Sequence, residues 1–118
     1  GIYAAGDVAS WPDVQSGARV RIEHWVLAQR HGQHVARNML GEDKPFTDVP
    51  FFWSAHYGSS IRYVGHATSW DRIETEGDIA AGKGTASFVK DGRTLAMATI
   101  GCDMAALKYE TALEQAGE

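Results

Sequence analysis

The sequence predicts an α+β fold with a first helix, a small antiparallel sheet of about four or five strands, and a second helix. Two observations carry this prediction. Apolar residues recur every three or four positions in residues 22–40 and again in residues 103–117, which is typical of one face of a helix. Between these segments, short runs of β-compatible residues are joined by hairpin-length connections, which favours strands that pair as antiparallel neighbours.

The composition is that of an ordinary globular domain. The 118 residues are 44% hydrophobic and 22% charged, so we expect one compact domain with a leading tail. A formal net charge of −4 offers no basic stripe, which argues against nucleic acid as a partner. No apolar run approaches the roughly 20 residues of a membrane-spanning helix. Cys102 is the only cysteine, so no disulfide or CxxC pair can form within the chain, and a reducing, cytoplasmic location is expected.

The first candidate ligand site is Gly6-Asp7, which follows a short run of small apolar residues. A strand end of this kind places a carboxylate at the carboxyl edge of a sheet, where open α/β folds bind ligands; a turn or a helix cap would use the same dipeptide. The strand has almost no residues before it, so we expect the sequence to be a piece of a longer chain. Residues 10–21 contain Pro12 and Gly17 and have the composition of a loop.

The first helix is predicted from Ile22 to a stop at Gly41. Its predicted apolar face consists of Trp25, Ala28, Gly32, Val35 or Ala36, and Met39. Because Gly32 has no side chain, we expect a neighbouring backbone to approach the helix closely there.

Glu23, His24 and Trp25 stand together at the start of this helix. Free backbone N–H groups and the positive end of the helix dipole favour an electron-rich ligand atom at that place. A Glu in the first turn also stabilises a helix without any function, so both interpretations stay open from the residues alone.

Three histidines, His24, His31 and His34, raise the question of a metal site. His31 and His34 share a helix face, but His24 lies nearly two turns away and no acidic ligand has matching spacing. We therefore expect solvent-exposed histidines and no metal.

The sheet is predicted to begin after a polar connector, residues 41–50, that contains two prolines. Residues 51–57 are strongly aromatic, and Trp53 among them could be a stacking platform for a planar ring, although aromatic runs usually belong to a core. Residues 61–65 and 71–76 both alternate in polarity, and we expect them to pair as neighbours.

The most direct local prediction is a hairpin. Residues 85–90 and 94–100 are rich in β-compatible types, and Asp91-Gly92 between them suits a tight turn with positive φ. Asp103 is a candidate N-cap for the last helix, which ends at Gly117. The predicted apolar stripe of that helix is Ala105, Tyr109, Ala112 and Ala116, beside Leu113.

Several segments of the chain jointly resemble the C-terminal end of FAD-dependent pyridine nucleotide oxidoreductases, within the branch of ferredoxin reductases, rubredoxin reductases and apoptosis-inducing-factor-like proteins. The segments that match in order and spacing are residues 1–9, residues 21–25 with Ala28, residues 38–41 and residues 49–54. Residues 61–65 with Gly77-Asp78 look nearest to the Rieske-linked apoptosis-inducing-factor-like members. The resemblance covers essentially the whole chain. It implies that residues 1–47 are the tail of an FAD-binding domain and that residues 48–118 are the C-terminal reductase domain.

The resemblance also implies roles for individual residues. Gly6 and Asp7 would form the second FAD motif, in which the Asp hydrogen-bonds a ribityl hydroxyl. Glu23, His24 and Trp25 would stand at the helix end that points to the flavin pyrimidine, with His24 beside the nicotinamide. Trp53 would be the aromatic residue that the C-terminal domain places near the flavin. No catalytic residue is implied.

The implied function is electron transfer from NAD(P)H through FAD to a ferredoxin- or Rieske-type iron–sulfur acceptor. The chain has no GxGxxG, so we expect this fragment to bind neither FAD nor NAD(P)H by itself and to be inactive without the remainder of the flavoprotein. A lone cysteine and the absence of a C-terminal His-Pro pair disfavour dithiol chemistry. Ala55-His56 stand where the branch often has an acidic residue after Trp-Ser, which leaves the contacts to nicotinamide and partner open.

The alternative function is a non-catalytic dimerisation or interaction module that buries the aromatic strand against a partner. We also expect Tyr3, Trp25 and Trp53 to be uncovered or to take part in self-association, because exposed apolar patches rarely stay bare.

Overall fold

The structure is a computed structural model that describes residues 1–117. The chain forms two compact units, residues 1–48 and 49–116, and each unit has its own hydrophobic cluster. Within the described residues there are two α-helices, one two-stranded sheet and one five-stranded antiparallel sheet. The predicted α+β class and the order of helix, sheet and helix are confirmed. Neither helix is both long and apolar enough to span a bilayer.

The first unit opens with a 3₁₀ turn, Gly6–Val8, hereafter the Gly6–Val8 turn. Two short strands follow, β1 (Trp11–Pro12) and β2 (Arg19–Val20), and they pair antiparallel. The prediction that residues 10–21 form a loop is therefore wrong. The buried Asp13 explains the difference, because its carboxylate accepts hydrogen bonds from the Ser16 amide at 2.9 Å and the Ser16 hydroxyl at 2.6 Å and closes the connection into a hairpin.

The first helix, α1, spans Trp25–Met39 and so begins three residues later than predicted. Its C-terminus agrees with the prediction: Leu40 is the C-cap, and Gly41 follows with a φ of +100°. Its buried residues are Leu27 and His31, which stand one turn apart, whereas Trp25 and Met39 are exposed.

The expectation of a close neighbour at Gly32 is wrong for the part of the chain that the structure describes. A side chain built at Gly32 would meet only open space. The helix instead packs through Leu27 onto a cluster that contains Trp11 and Val20, with Ile22 and Phe46 against it. Burial thus follows the residues that the β1–β2 hairpin presents and not the most regular apolar stripe.

The second unit contains five strands in the spatial order β3-β4-β7-β6-β5, with every neighbouring pair antiparallel. The strands are β3 (Phe51–His56), β4 (Ser59–Gly65), β5 (Arg72–Asp78), β6 (Lys83–Lys90) and β7 (Arg93–Ile100). The prediction that residues 61–65 and 71–76 pair is wrong, because β4 lies between β3 and β7 while β5 pairs only with β6. Every residue of β5 is exposed, as suits a charged edge strand.

The predicted β6–β7 hairpin is confirmed. Asp91 and Gly92 have φ values of +48° and +75°, the left-handed pair that a two-residue hairpin turn requires. The β3–β4 hairpin uses the same geometry at Tyr57 and Gly58, with φ values of +50° and +79°. The second turn was not predicted, because Tyr is not a typical residue for a left-handed position.

The last helix, α2, spans Asp103–Gly117 within the described residues. Asp103 is not the N-cap: the amides of Ala105 and Ala106 donate to the Cys102 carbonyl, which makes Cys102 the residue that precedes the helix. The Asp103 carboxylate instead accepts two hydrogen bonds from Arg62, at 2.7 and 2.9 Å, and so joins α2 to β4.

One face of α2 completes the second hydrophobic cluster. Ala106 is buried with Val49 and Val64, and Phe51, Tyr109 and Leu113 pack against them. Of the predicted stripe, Tyr109 and Leu113 pack onto this cluster, while Ala112 and Ala116 are exposed. The Tyr109 hydroxyl donates to the Thr94 carbonyl at 2.7 Å, and burial raises its pKa to about 12.

Candidate functional site

The Gly6–Val8 turn presents an exposed Asp7 and is closed by a 2.9 Å hydrogen bond from the Ala9 amide to the Gly6 carbonyl. Gly6 has a φ of +78°, which a residue with a side chain rarely adopts. An added Cβ would lie 3.5 Å from the Ala28 Cβ, an ordinary contact. The sequence uses Gly here for its backbone conformation, and that conformation aims the next residue, Asp7, outward.

Arg21 links this turn to the segment before α1. Its Nη1 donates to the Asp7 carbonyl at 3.1 Å and to the Glu23 carboxylate. Both charged side chains are more than half exposed, so the ion pair contributes little free energy of folding, and the hydrogen bond to the Asp7 carbonyl is the contact that connects the two backbone segments. Arg21 was not among the predicted site residues, because no local sequence pattern distinguishes an arginine that donates to a backbone carbonyl from any other exposed arginine.

The N-terminus of α1 carries no side-chain cap. His24 is the N-cap residue, its carbonyl accepts the Ala28 amide at 2.9 Å, and its side chain makes no capping hydrogen bond. Glu23 therefore lies outside the helix, and the prediction that it stands in the first turn is wrong; that turn holds no acidic residue. The positive end of the helix dipole is left without a carboxylate of its own helix.

His24 stands between this helix end and the turn. Burial lowers its pKa, and the negative charge of Asp7 raises it by a smaller amount. The imidazole is consequently neutral at pH 7. The electrostatic influence of Asp7 on His24 shows that the structure brings these two predicted site residues together, with Gly6 and Glu23 in the same unit.

His31 contradicts the expectation of solvent-exposed histidines, because only 5% of it is exposed. The Gly6 amide donates to its Nδ1 at 3.3 Å. Its ring meets Trp11 and Phe46 edge-on, at centroid distances of 4.5 and 4.4 Å. His34 lies nearer the surface, with Nε2 2.9 Å from the Lys44 carbonyl. Among residues 1–117, no group of three His, Cys, Asp or Glu side chains is arranged to hold a metal ion.

Trp53 belongs to the second unit. It lies on β3 opposite Arg62, its ring centroid is 6.2 Å from that of Phe51, and 49% of it is exposed. Tyr3 and Trp25 are 44% and 80% exposed, so the prediction that these three aromatic residues are uncovered is confirmed. Trp53 is not a core residue but one edge of an accessible aromatic strand.

The groups of the first unit fit the sugar and ring parts of a flavin. The Asp7 carboxylate is an exposed acceptor for a hydroxyl. The uncapped end of α1 offers backbone N–H donors to an electron-rich ring edge. The first unit thus offers both an acceptor and a set of donors to a ligand of this kind.

Comparison with known proteins identifies the family of this chain. Residues 51–118 match the family described as Reductase C-terminal. Apoptosis-inducing factor 3 of Mus musculus and of Homo sapiens is 33% identical over 104 residues, which are 87% of this chain and 17% of the relative. The ferredoxin–NAD(+) reductase component of the p-cumate 2,3-dioxygenase system of Pseudomonas putida is 37% identical over 82 residues, 67% of this chain and 20% of the relative.

Solved structures share the fold. The crystal structure of Fdr9 matches with a TM-score of 0.82 and 30% identity, over 98% of this chain and 31% of its own. The covalent putidaredoxin reductase–putidaredoxin complex matches with a TM-score of 0.86 and 23% identity, over 94% of this chain and 27% of the other. The chain spans 17% to 20% of the length of the curated relatives named above.

Proposed function

This chain belongs to the family of reductase C-terminal domains, and on that premise we propose that it is the C-terminal part of a flavoprotein that passes electrons from NAD(P)H through FAD to an iron–sulfur protein. In this proposal residues 1–47 are the tail of the FAD-binding domain and residues 48–118 are the C-terminal reductase domain. The observation that carries the proposal is the exposed Asp7 beside the uncapped start of α1. Relatives named as ferredoxin–NAD(+) reductase components support the reaction class.

Each site residue has a defined task in this proposal. Asp7 accepts a hydrogen bond from a ribityl hydroxyl, and Gly6 gives the turn the backbone conformation that exposes the carboxylate. The N–H groups at the start of α1 stabilise negative charge on the ring when it is reduced. FAD, when bound, supplies the chemistry that accepts a hydride and releases electrons singly.

The proposed roles of the three ring side chains, His24, Trp25 and Trp53, are to offer flat surfaces and, for His24, to add no positive charge. Because burial keeps His24 neutral, its imidazole presents a flat ring near the nucleotide without adding positive charge. Trp25 and Trp53 offer exposed indole faces against which a planar ring can stack. In this proposal His24 and Trp25 orient the nicotinamide, and none of the three side chains exchanges a proton with the substrate.

Asp7→Ala in the intact flavoprotein tests the proposal. The side chain is exposed, so its removal leaves the fold unchanged and deletes one charge-assisted hydrogen bond to the cofactor. We expect FAD to dissociate roughly 10- to 100-fold more readily, measured by flavin fluorescence, with NADH-dependent reduction of a [2Fe–2S] ferredoxin restored by added FAD.

Glu42→Ala is the matched control, because it removes an exposed carboxylate from the same unit without touching the turn. Equal FAD affinity in Asp7→Ala and Glu42→Ala would refute the role of Asp7. An intact protein that holds no flavin and dimerises through residues 51–57 would refute the reductase function in favour of an interaction module.

A further inference from the structure

The hydrogen bond between Gly6 and His31 joins two places that are 25 residues apart in the chain. It is made by a nearly buried imidazole in the middle of α1 and by the first residue of the turn that carries Asp7. Two aromatic rings, Trp11 and Phe46, flank the imidazole and hold it in one orientation. A rigid acceptor is thereby presented to the backbone of the Gly6–Val8 turn.

We propose that His31 is the positioning residue of the flavin site, and that it holds the Gly6–Val8 turn in place only as a neutral imidazole whose proton is on Nε2. This inference rests on the proposed function for the part that concerns the cofactor. Its structural part concerns only the turn. A backbone amide can donate to Nδ1 only while that nitrogen carries a lone pair, so the protonated ring cannot make this bond.

The surroundings of His31 favour the neutral form. Its Nε2 is buried and has no hydrogen-bond partner among residues 1–117, so a charged ring would leave a second donor unsatisfied. Burial is the main cause that lowers the pKa of His31, and a charged His34 on the same helix lowers it further. Asp48 raises the pKa of His31 by a smaller amount, whereas the hydrogen bond from the Gly6 amide favours the neutral ring, because it needs the Nδ1 lone pair.

The neighbouring turn and hairpin each carry one further carboxylate, in addition to Asp48. Asp7 belongs to the turn itself and acts on His24, while Asp13 of the β1–β2 connection is bound to Ser16. The bond to Gly6 is therefore intact near pH 7. It is lost only when the pH falls through the lowered pKa of His31, because protonation turns the acceptor into a donor.

The test of the structural part uses the 118-residue chain without cofactor and measures amide hydrogen exchange of Gly6 by NMR. His31→Leu fills the buried position with an apolar side chain and removes the hydrogen-bond acceptor. We expect the protection of Gly6 to fall about fivefold, the effect of one ordinary hydrogen bond. His31→Asn keeps an acceptor near the position of Nδ1, and we expect it to restore most of the protection and to remove its dependence on pH.

The unmodified chain provides a test that needs no substitution in the first unit. Gly6 protection, corrected for intrinsic exchange, should fall in step with the protonation of His31, followed by NMR in the same samples as the pH is lowered from 7, while the control His66→Asn, which removes a histidine of the second unit, should leave this profile unchanged. Unaltered Gly6 protection in His31→Leu, or Gly6 protection in the unmodified chain that stays constant while His31 becomes protonated, would overturn the inference.

The cofactor part is measured in the intact flavoprotein as the FAD dissociation constant. We expect His31→Leu to raise it about fivefold at pH 7 and His31→Asn to leave it close to the unmodified value and independent of pH. If His31→Leu changes the amide exchange of Gly6 but leaves the FAD dissociation constant unchanged, only the cofactor part is overturned. An intact protein without flavin would overturn the proposed function, and the exchange experiment would still decide the structural part.

Discussion

Replacing Gly6 by Ala changes the backbone preference of the Gly6–Val8 turn and almost nothing else. The added Cβ lies 3.5 Å from the Ala28 Cβ, an ordinary contact, so no steric clash contributes to the free energy of unfolding. The φ of +78° is the remaining cost. An L-residue pays about 1–2 kcal/mol for a left-handed conformation, and we expect Gly6→Ala to destabilise the first unit by that amount.

Gly32→Ala is the matched control with the opposite sign. Gly32 lies in the interior of α1, is exposed, and has open space where a side chain would stand. Ala is about 1 kcal/mol more favourable than Gly in a helix interior, so this variant should stabilise the same unit. The two substitutions add the same methyl group, and only the backbone conformation distinguishes them.

Urea unfolding of the 118-residue chain measures both effects. The buried Trp11 belongs to the first cluster, so NMR of its indole N–H follows the unit that carries both glycines. Lower stability in Gly6→Ala together with higher stability in Gly32→Ala is the expected pair. A neutral Gly6→Ala would show that the turn does not need a positive φ, and a destabilising Gly32→Ala would show that a neighbouring backbone does occupy that face.

Two further predictions follow from hydrogen bonds and charges already described. Tyr109→Phe removes the hydroxyl that donates to the Thr94 carbonyl of β7 and should destabilise the second unit by about 1 kcal/mol at pH 7. Because the pKa of Tyr109 in the folded chain is raised to about 12, the unmodified unit should also lose stability as the pH rises from 10 towards 12. Urea unfolding at alkaline pH should show that the Phe variant loses less stability over this range. Asp7→Asn removes the charge that raises the pKa of His24, so NMR titration should find the His24 pKa lower still; an unchanged value would mean that the two side chains do not interact.

Local signals in the sequence predicted local structure. The β6–β7 hairpin depends on two residues, Asp91 and Gly92, whose backbone preference is strong enough to identify the turn without knowledge of the rest of the chain. The pairing of residues 61–65 was not predictable in this way. Their partners on β7 come more than 30 residues later, and two alternating segments look alike whether or not they touch.

The residues of the candidate site also divide into those with a local sequence signal and those without one. Gly6, Asp7 and the start of α1 were identifiable because a glycine before an acid, and a helix end, are signals within a few residues. Arg21 and His31 were not, since each acts by a single hydrogen bond to the turn, and His31 does so across 25 residues. A histidine at a polar-looking helix position gives no sign of burial until the aromatic residues that cover it are known.

The apolar face of α1 that the sequence predicts is not the face that the structure buries. Leu27 and His31 point toward the cluster of the first unit, while Trp25, Gly32 and Met39 repeat every seven residues about a third of a turn away. That second stripe has no cover within the described residues of the chain. Under the proposed function, the remainder of an FAD-binding domain would cover this stripe. The same helix would be held on one side by residues of this chain and on the other by residues of the larger flavoprotein, with its uncapped end directed at the cofactor.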